Sequence, residues 1–489
     1  MYLADNWKVN SRLTLDLGAR YQLLQPQYGA LQNAVVFAPR FFDPAKVPTV
    51  LRNNGELVPR TGDPVNGLVA GGTALPDFAR IRIPNAGDPN VQRIYRGLPK
   101  EISPWDHNTF GPRIGFALDL TGRQQTVLRG GYGLFFERIQ GNFVFGRVNN
   151  PPFIQEASIF SANLEAPSGG TQRLFPSNLS SYDIDLRVPK VQNYSFGIQH
   201  KLLSDTLIDV AYVGSSGWHQ YRSLNLNQLP AGTLQRNPGV NLNALRPYLG
   251  YANINHNVTA SNFNYNSLQT QIKKQFRGGG LISMAYTWSK VITDASDWNE
   301  GPMDNYNFKN ERGLATYDRR HIFVLSYIYP IPFWQKQDLW YKKAFGGWQL
   351  SGITTLQSGR PLNITIQGDV AGTGTGAQRP NVIADPYLDA GTARRWFNPQ
   401  AFVNPAAGTF GALGRNAITG PGTNNWDVSL QKIFSVNERI KAEFRAEVYN
   451  TPHHFSFFGV GTTVGAANFG QITSANDPRT VQLGLRVSF

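Results

Sequence analysis

The chain has 489 residues, with 46 Lys and Arg against 32 Asp and Glu, a net charge of +14, 49 glycines, 31 prolines and no cysteine. The lack of cysteine excludes disulfide scaffolds, thiolate metal sites and cysteine nucleophiles. No stretch reaches the ~18 apolar residues of a membrane-spanning helix, and the basic residues stand singly rather than in blocks, which argues against nucleic acid as a partner.

In chain order, the opening Met1–Lys8 segment has neither the cationic nor the apolar region of a secretory signal. From Arg12 a two-residue period begins. Leu13, Leu15, Leu17, Ala19, Tyr21 and Leu23 alternate with Arg12, Thr14, Asp16, Gly18, Arg20 and Gln22. Successive side chains of a strand point to opposite faces, so the segment has one apolar and one polar wall. Similar segments recur at 2–9, 12–24, 109–119, 125–138, 191–202, 206–216, 264–276, 280–292, 319–330, 347–358, 425–434, 438–450 and 480–489. These about thirteen strands are mostly longer than the roughly five or six residues usual in soluble proteins, and match the ~9–11 of a tilted transmembrane strand. Trp7, Trp288, Trp348 and Trp426 share the apolar faces, as ring-bearing residues at a membrane–water boundary do.

The connections alternate between short and long. Asn10-Ser11, Leu120–Gln124, Leu203–Asp205, Arg277–Gly279 and Ser435–Asn437 are short, with a longer one at Ile331–Gly346. The long ones, 25–108, 139–190, 217–263, 293–318, 359–424 and 451–479, are rich in Pro and Gly and read as extended, irregular surface segments. Short periplasmic turns at one rim and long extracellular loops at the other mark a transmembrane antiparallel β-barrel, an all-β fold.

Several loop features invite chemistry. Asp294, Asp297, Glu300 and Asp304 offer oxygen ligands of the kind calcium takes, without the spacing of an EF-hand. Gly372-Thr373-Gly374-Thr375-Gly376-Ala377 matches a loose dinucleotide fingerprint, but Pro380 follows and no helical period does, so it reads as a flexible loop. His453 and His454 are adjacent and point apart in extended chain. None of these makes a catalytic or cofactor site, and the expectation is of no enzyme and no cofactor. Further on, Lys441, Glu443, Arg445 and Glu447 share one polar face and are read as lumen-facing charges. The last strand places Val481, Leu483, Leu485, Val487 and the terminal Phe489 on its apolar side. This pattern resembles the outer-membrane assembly signal, read by the barrel-assembly machinery.

An odd strand number leaves the two ends of a barrel at opposite rims, whereas single-chain bacterial barrels have even numbers. With no signal segment, residues 1–489 are therefore expected to be a C-terminal piece of a longer barrel protein.

The strand sequences carry a family resemblance. Trp7-Lys8-Val9, Leu13–Tyr21, Phe110–Ala117, Leu128–Phe136, Asn264–Gln269, Ala285–Lys290, Asp318–His321, Gly347–Gly352 and Phe444–Asn450 resemble segments of TonB-dependent outer-membrane transporters of the Oar-like group. The resemblance implies a barrel of about 22 strands filled by a plug, so that about nine strands, the plug and any domain before it would lie outside this sequence. It implies a Gram-negative outer membrane and an unidentified ligand captured by the outer loops. It further implies force from the TonB–ExbB–ExbD complex acting through a plug. The alternatives are an adhesive or structural outer-membrane barrel without uptake, and a secreted β-rich carbohydrate-active protein.

Overall fold

The computed structural model describes residues 1–489 apart from 155–157, 204, 277, 334–338 and 436–438, and for Lys343 the backbone alone. One large sheet dominates. Across it run, in chain order, β1 (Tyr2–Lys8), β2 (Leu13–Tyr21), β3 (Phe110–Asp119), β4 (Thr126–Phe136), β5 (Lys190–Leu202), β6 (Thr206–Asn225) and β7 (Tyr251–Gln275). They are followed by β8 (Leu281–Thr293), β9 (His321–Pro330), β10 (Trp348–Gln357), β11 (Thr423–Ser435), β12 (Lys441–Tyr449) and β13 (Thr480–Ser488). Each pairs antiparallel with the next. All the expected strands are present, and β1 and β13 end the sheet without pairing each other.

The register carries the amphipathic pattern across the wall, because directly opposed residues share a face. One row reads Leu13, Leu118, Leu128, Ile198, Val210, Thr270, Tyr286, Phe323 and Leu356. The row on the opposite face reads Thr14, Ala117, Arg129, Gly197, Ala211, Gln269, Thr287, Ile322 and Gln357. Strict antiparallel succession puts every long connection at one rim and every short one at the other. The short turns are built locally: Asp119 accepts from the backbone N–H of Thr121, Gly122 and Gln124 at 2.8–3.1 Å, and Gly122 supplies the positive φ the reversal needs. Ser204, Arg277, residues 334–338, Val436 and Asn437, which the sequence placed in short-rim connections, and Glu438, at the expected start of the 438–450 strand, lie outside the described residues.

The long connections differ from expectation. They are not extended surface segments; they hold nearly all the buried apolar side chains of the described residues. Val35–Phe37, Leu68–Gly71 and Tyr95–Leu98 form a small sheet. Val35 and Phe37 enter one cluster with Leu68, Ile94, Leu179 and Ile254, while Val36 enters another with Ile102, Phe143 and Tyr182. Leu362, Ile364, Phe397, Phe402 and Ile418 make a third. β6 and β7 also run past their expected ends, and Ser177–Tyr182 adds to the outer half of β7 in parallel. The result is a packed cap at one rim.

Candidate functional site: the cap and the polar wall

Within the wall, Lys441, Glu443, Arg445 and Glu447 lie on β12 opposite Ser488, Arg486, Gly484 and Gln482. Arg445 stands 3.6 Å from Glu443 and 3.5 Å from Glu447. Arg129 and Asp209 pair on the same side of the sheet, and Asn6 bonds Asp16 there. Pairs this exposed contribute at most about 1 kcal/mol each; their alternating signs suit a wetted interior rather than a protein core. Val481, Leu483, Leu485 and Val487 lie on the apolar face of β13 against Val448, Ala446, Phe444 and Ala442. Phe489 follows that strand, fully exposed.

The loop acids do not converge. Asp294 accepts from the Ser261 hydroxyl and the Asn262 N–H, both at 2.7 Å. Asp297 and Asp304 cap the N–H groups of Trp298 and Tyr306, and Glu300 pairs with Arg415 at 2.7 Å. Among the described residues no three metal-ligating side chains come together. Each acid is used by the fold in its own place. The glycine-rich segment is likewise not a loose loop: Asp369 accepts from Thr373 N–H, Gly374 N–H and the Gln378 amide, and Thr373 and Gln378 are fully buried. Positive φ at Gly372 and Gly374 is what lets the chain wrap around that carboxylate. His453 and His454 remain on the surface, where His453 accepts from Arg479 N–H.

Sequence reasoning missed the polar framework that ties the cap together. Arg379 grips Glu311 through two bonds of 2.8 and 3.0 Å, with both side chains only 3% exposed. Arg415 donates to the Glu311 carbonyl, the Thr293 carbonyl and Ser296. The Gln228 amide bonds Met303 O and Thr375, and its oxygen accepts from Asn305. These contacts join the 293–318 and 359–424 loops to the outer end of β6. Ser215, Phe263, Tyr265, Thr287, Ser289, Val291, Tyr317, Arg319 and Ile322 line an open recess of about 400 Å³, its surface more apolar than polar, on the side of the sheet that carries Thr287.

A histidine sits in the same framework. His256, on the outer part of β7, bonds Ser181, which itself bridges both backbone groups of Phe37. Burial, and secondarily the nearby Arg147, pull its pKa down from 6.5 to about 4; burial also lowers Arg147, to about 10. The unfolded chain therefore binds a proton that the folded cap refuses. The stabilisation is complete above about pH 6.5 and is lost as pH falls toward 4. Hydrogen exchange of the Val35–Phe37 amides should report a cap that weakens across this window, and His256→Gln should flatten the dependence. An unchanged slope in that variant would assign the effect to other groups.

Over residues 1–482 the sequence matches the model of a family described as an outer membrane beta barrel domain. A comparison with curated proteins finds no match. Among solved structures, the outer membrane transporter YddB from Escherichia coli is similar at 11% identity with a TM-score of 0.50, covering 100% of this chain and 44% of that one. The siderophore receptor PirA from Acinetobacter baumannii aligns at 9% identity and a TM-score of 0.44, covering 100% of this chain and 45% of that chain. The pyoverdine-bound FpvA receptor from Pseudomonas aeruginosa aligns at 12% and 0.40, covering 100% and 41%. This chain thus spans less than half the length of the solved structures it resembles.

Proposed function

The chain belongs to the outer membrane beta barrel domain family, and from that premise we propose that it forms the wall and ligand-capturing outer loops of an energy-coupled uptake channel of the TonB-dependent kind. The observation that supports this best is the packed cap, built from long connections at one rim, with an open recess on the inner side of the strands that carry it. In this reading the cap faces the cell exterior, and Lys441, Glu443, Arg445 and Glu447 face a lumen occupied by a plug through which TonB–ExbB–ExbD acts. Val481, Leu483, Leu485, Val487 and Phe489 serve the barrel-assembly machinery. The free edges of β1 and β13 are completed by further strands, because closure satisfies edge groups in lipid.

The test is uptake. Cells carrying the intact gene should deplete particular small molecules from a complex medium, followed by untargeted mass spectrometry. Depletion should stop on deletion of the gene and on collapse of the proton-motive force. Depletion that survives collapse would remove the energy coupling, and no gene-dependent depletion would leave an adhesive or structural barrel. Independently, a cysteine replacing Leu164 in a long loop should react with an impermeant maleimide on intact cells, while one replacing Arg123 in a short turn should not. The reverse labelling would invert the wall.

A further inference from the structure

The connection from β9 to β10 is unlike the tight turns beside it, because it contains a helix, α1 (Trp340–Phe345). The position of α1 is set from β11. Lys432 is on the apolar face of that strand, in register with Trp348 on one side and Phe444 on the other, yet it is only 1% exposed. Its ammonium group lies 5.5 and 4.6 Å from the ring centres of Trp348 and Phe434. It donates to the carbonyls of Ala344 and Gly346 at 3.0 and 2.5 Å, groups that the end of a helix leaves without intrahelical partners. The Trp348 indole N–H also donates to Ala344 O at 3.3 Å. A cation on the lipid-facing side is costly unless its donors are satisfied or it reaches the interface. At the rim end of β11 the carbonyls at the end of α1 take two of its donors, and the two rings face its charge. The helix end is therefore fastened to the outer, lipid-facing side of the wall at the short-turn rim, not beneath the lumen. There Trp340 is 77% exposed and Phe345 62%, adjoining the apolar face that carries Trp348, Phe434 and Phe444.

We propose that α1 is an in-plane membrane anchor, seated in the headgroup region of the leaflet at the short-turn rim with Trp340 and Phe345 inserted among the upper acyl chains. The occupant of this surface is phospholipid, because the patch continues a wall whose own partner is phospholipid, and aromatic rings settle at that depth. The inference rests on the barrel fold alone and stands or falls apart from transport.

These 489 residues contain no cysteine, so single labels can be placed here in the intact gene product, cleared of any cysteine elsewhere. Nitroxide labels on Trp340→Cys and Phe345→Cys would be measured in nanodiscs of phosphatidylethanolamine and phosphatidylglycerol, with Leu485→Cys as the lipid reference and Leu164→Cys as the water reference. Collisions with oxygen should exceed those with a water-soluble nickel chelate several-fold at both α1 positions, as at 485. Lys432→Met should shift the 340 label toward nickel while the wall keeps its heat-resistant gel mobility. A label at 340 that behaves like Leu164→Cys, or that is shielded from both reagents by protein, overturns the anchor. If Lys432→Met does not fold, the labels in the otherwise unaltered protein decide alone.

Discussion

Glu311→Ala should cost the cap about 3–5 kcal/mol, because it strands the Arg379 guanidinium in the interior. Both side chains are 3% exposed. The carboxylate accepts from both terminal nitrogens of Arg379 and also from the Met303 N–H. Arg379 keeps bonds to the carbonyls of Leu413 and Asn310, but carbonyl dipoles do not neutralise a buried cation. The loss should appear as faster exchange and proteolysis across the 293–318 and 359–424 loops, with the wall unaffected. Replacing both partners with methionine should recover much of the loss, since no charge is then left unpaired. A single variant within about 1 kcal/mol of the parent would show that water reaches Arg379 and that the two loops are not locked.

Leu485→Arg should cost about 2–4 kcal/mol when its position lies near the bilayer midplane. Leu485 opposes Phe444, and both lie in a face of Leu483, Val487, Ala442 and Ala446. Its side chain points out from the sheet on the same face as those residues, so the penalty measures chiefly the transfer of charge into hydrocarbon. Arg445→Leu, one residue pair away on the other face, gives up exposed ion pairs and should change stability by less than about 1 kcal/mol. Denaturant titration of folding into vesicles, scored by gel mobility before and after boiling, gives both numbers. The opposite ranking would exchange the lipid and lumen faces.

The wall was legible in the sequence because each strand meets lipid on one side and water on the other. Val481-Gln482-Leu483-Gly484-Leu485-Arg486-Val487 states its two faces without reference to any other segment. The outer half of β6 was not legible. Its pairing slips between Gly217 and Gln220 and again before Arg222, so side chains change face and the two-residue period breaks where the strand continues. The cap was illegible for another reason. Val35-Val36-Phe37 is apolar on both faces because packed layers cover both, and so short a run looks the same in a loop. Its partners Leu179 and Ile254 come from distant connections, and Glu311 is 68 positions from Arg379. No local pattern announces such pairs. Whether the acids at 294–304 converge was not legible either, since proximity in sequence says nothing of whether carboxylates point at one another.

The length of β6 and β7 has a mechanical meaning. At about 3.4 Å per residue, the 25 residues of β7 span about 85 Å, far more than the ~25 Å apolar band of an outer-membrane barrel. The surplus is a mast rooted in the wall. Ser177–Tyr182 runs alongside that mast in parallel, so a tug on the 139–190 loop loads those backbone bonds in shear, all together, instead of unzipping them one by one. The 359–424 loop is moored to the end of the same extension, where Gln228 donates to Thr375 and the Leu229 N–H to the Thr373 carbonyl. The 451–479 loop is tied to it in turn through the Phe397–Phe402 cluster and its neighbour Phe469, so a pull on the far side of the cap is also passed down to the wall.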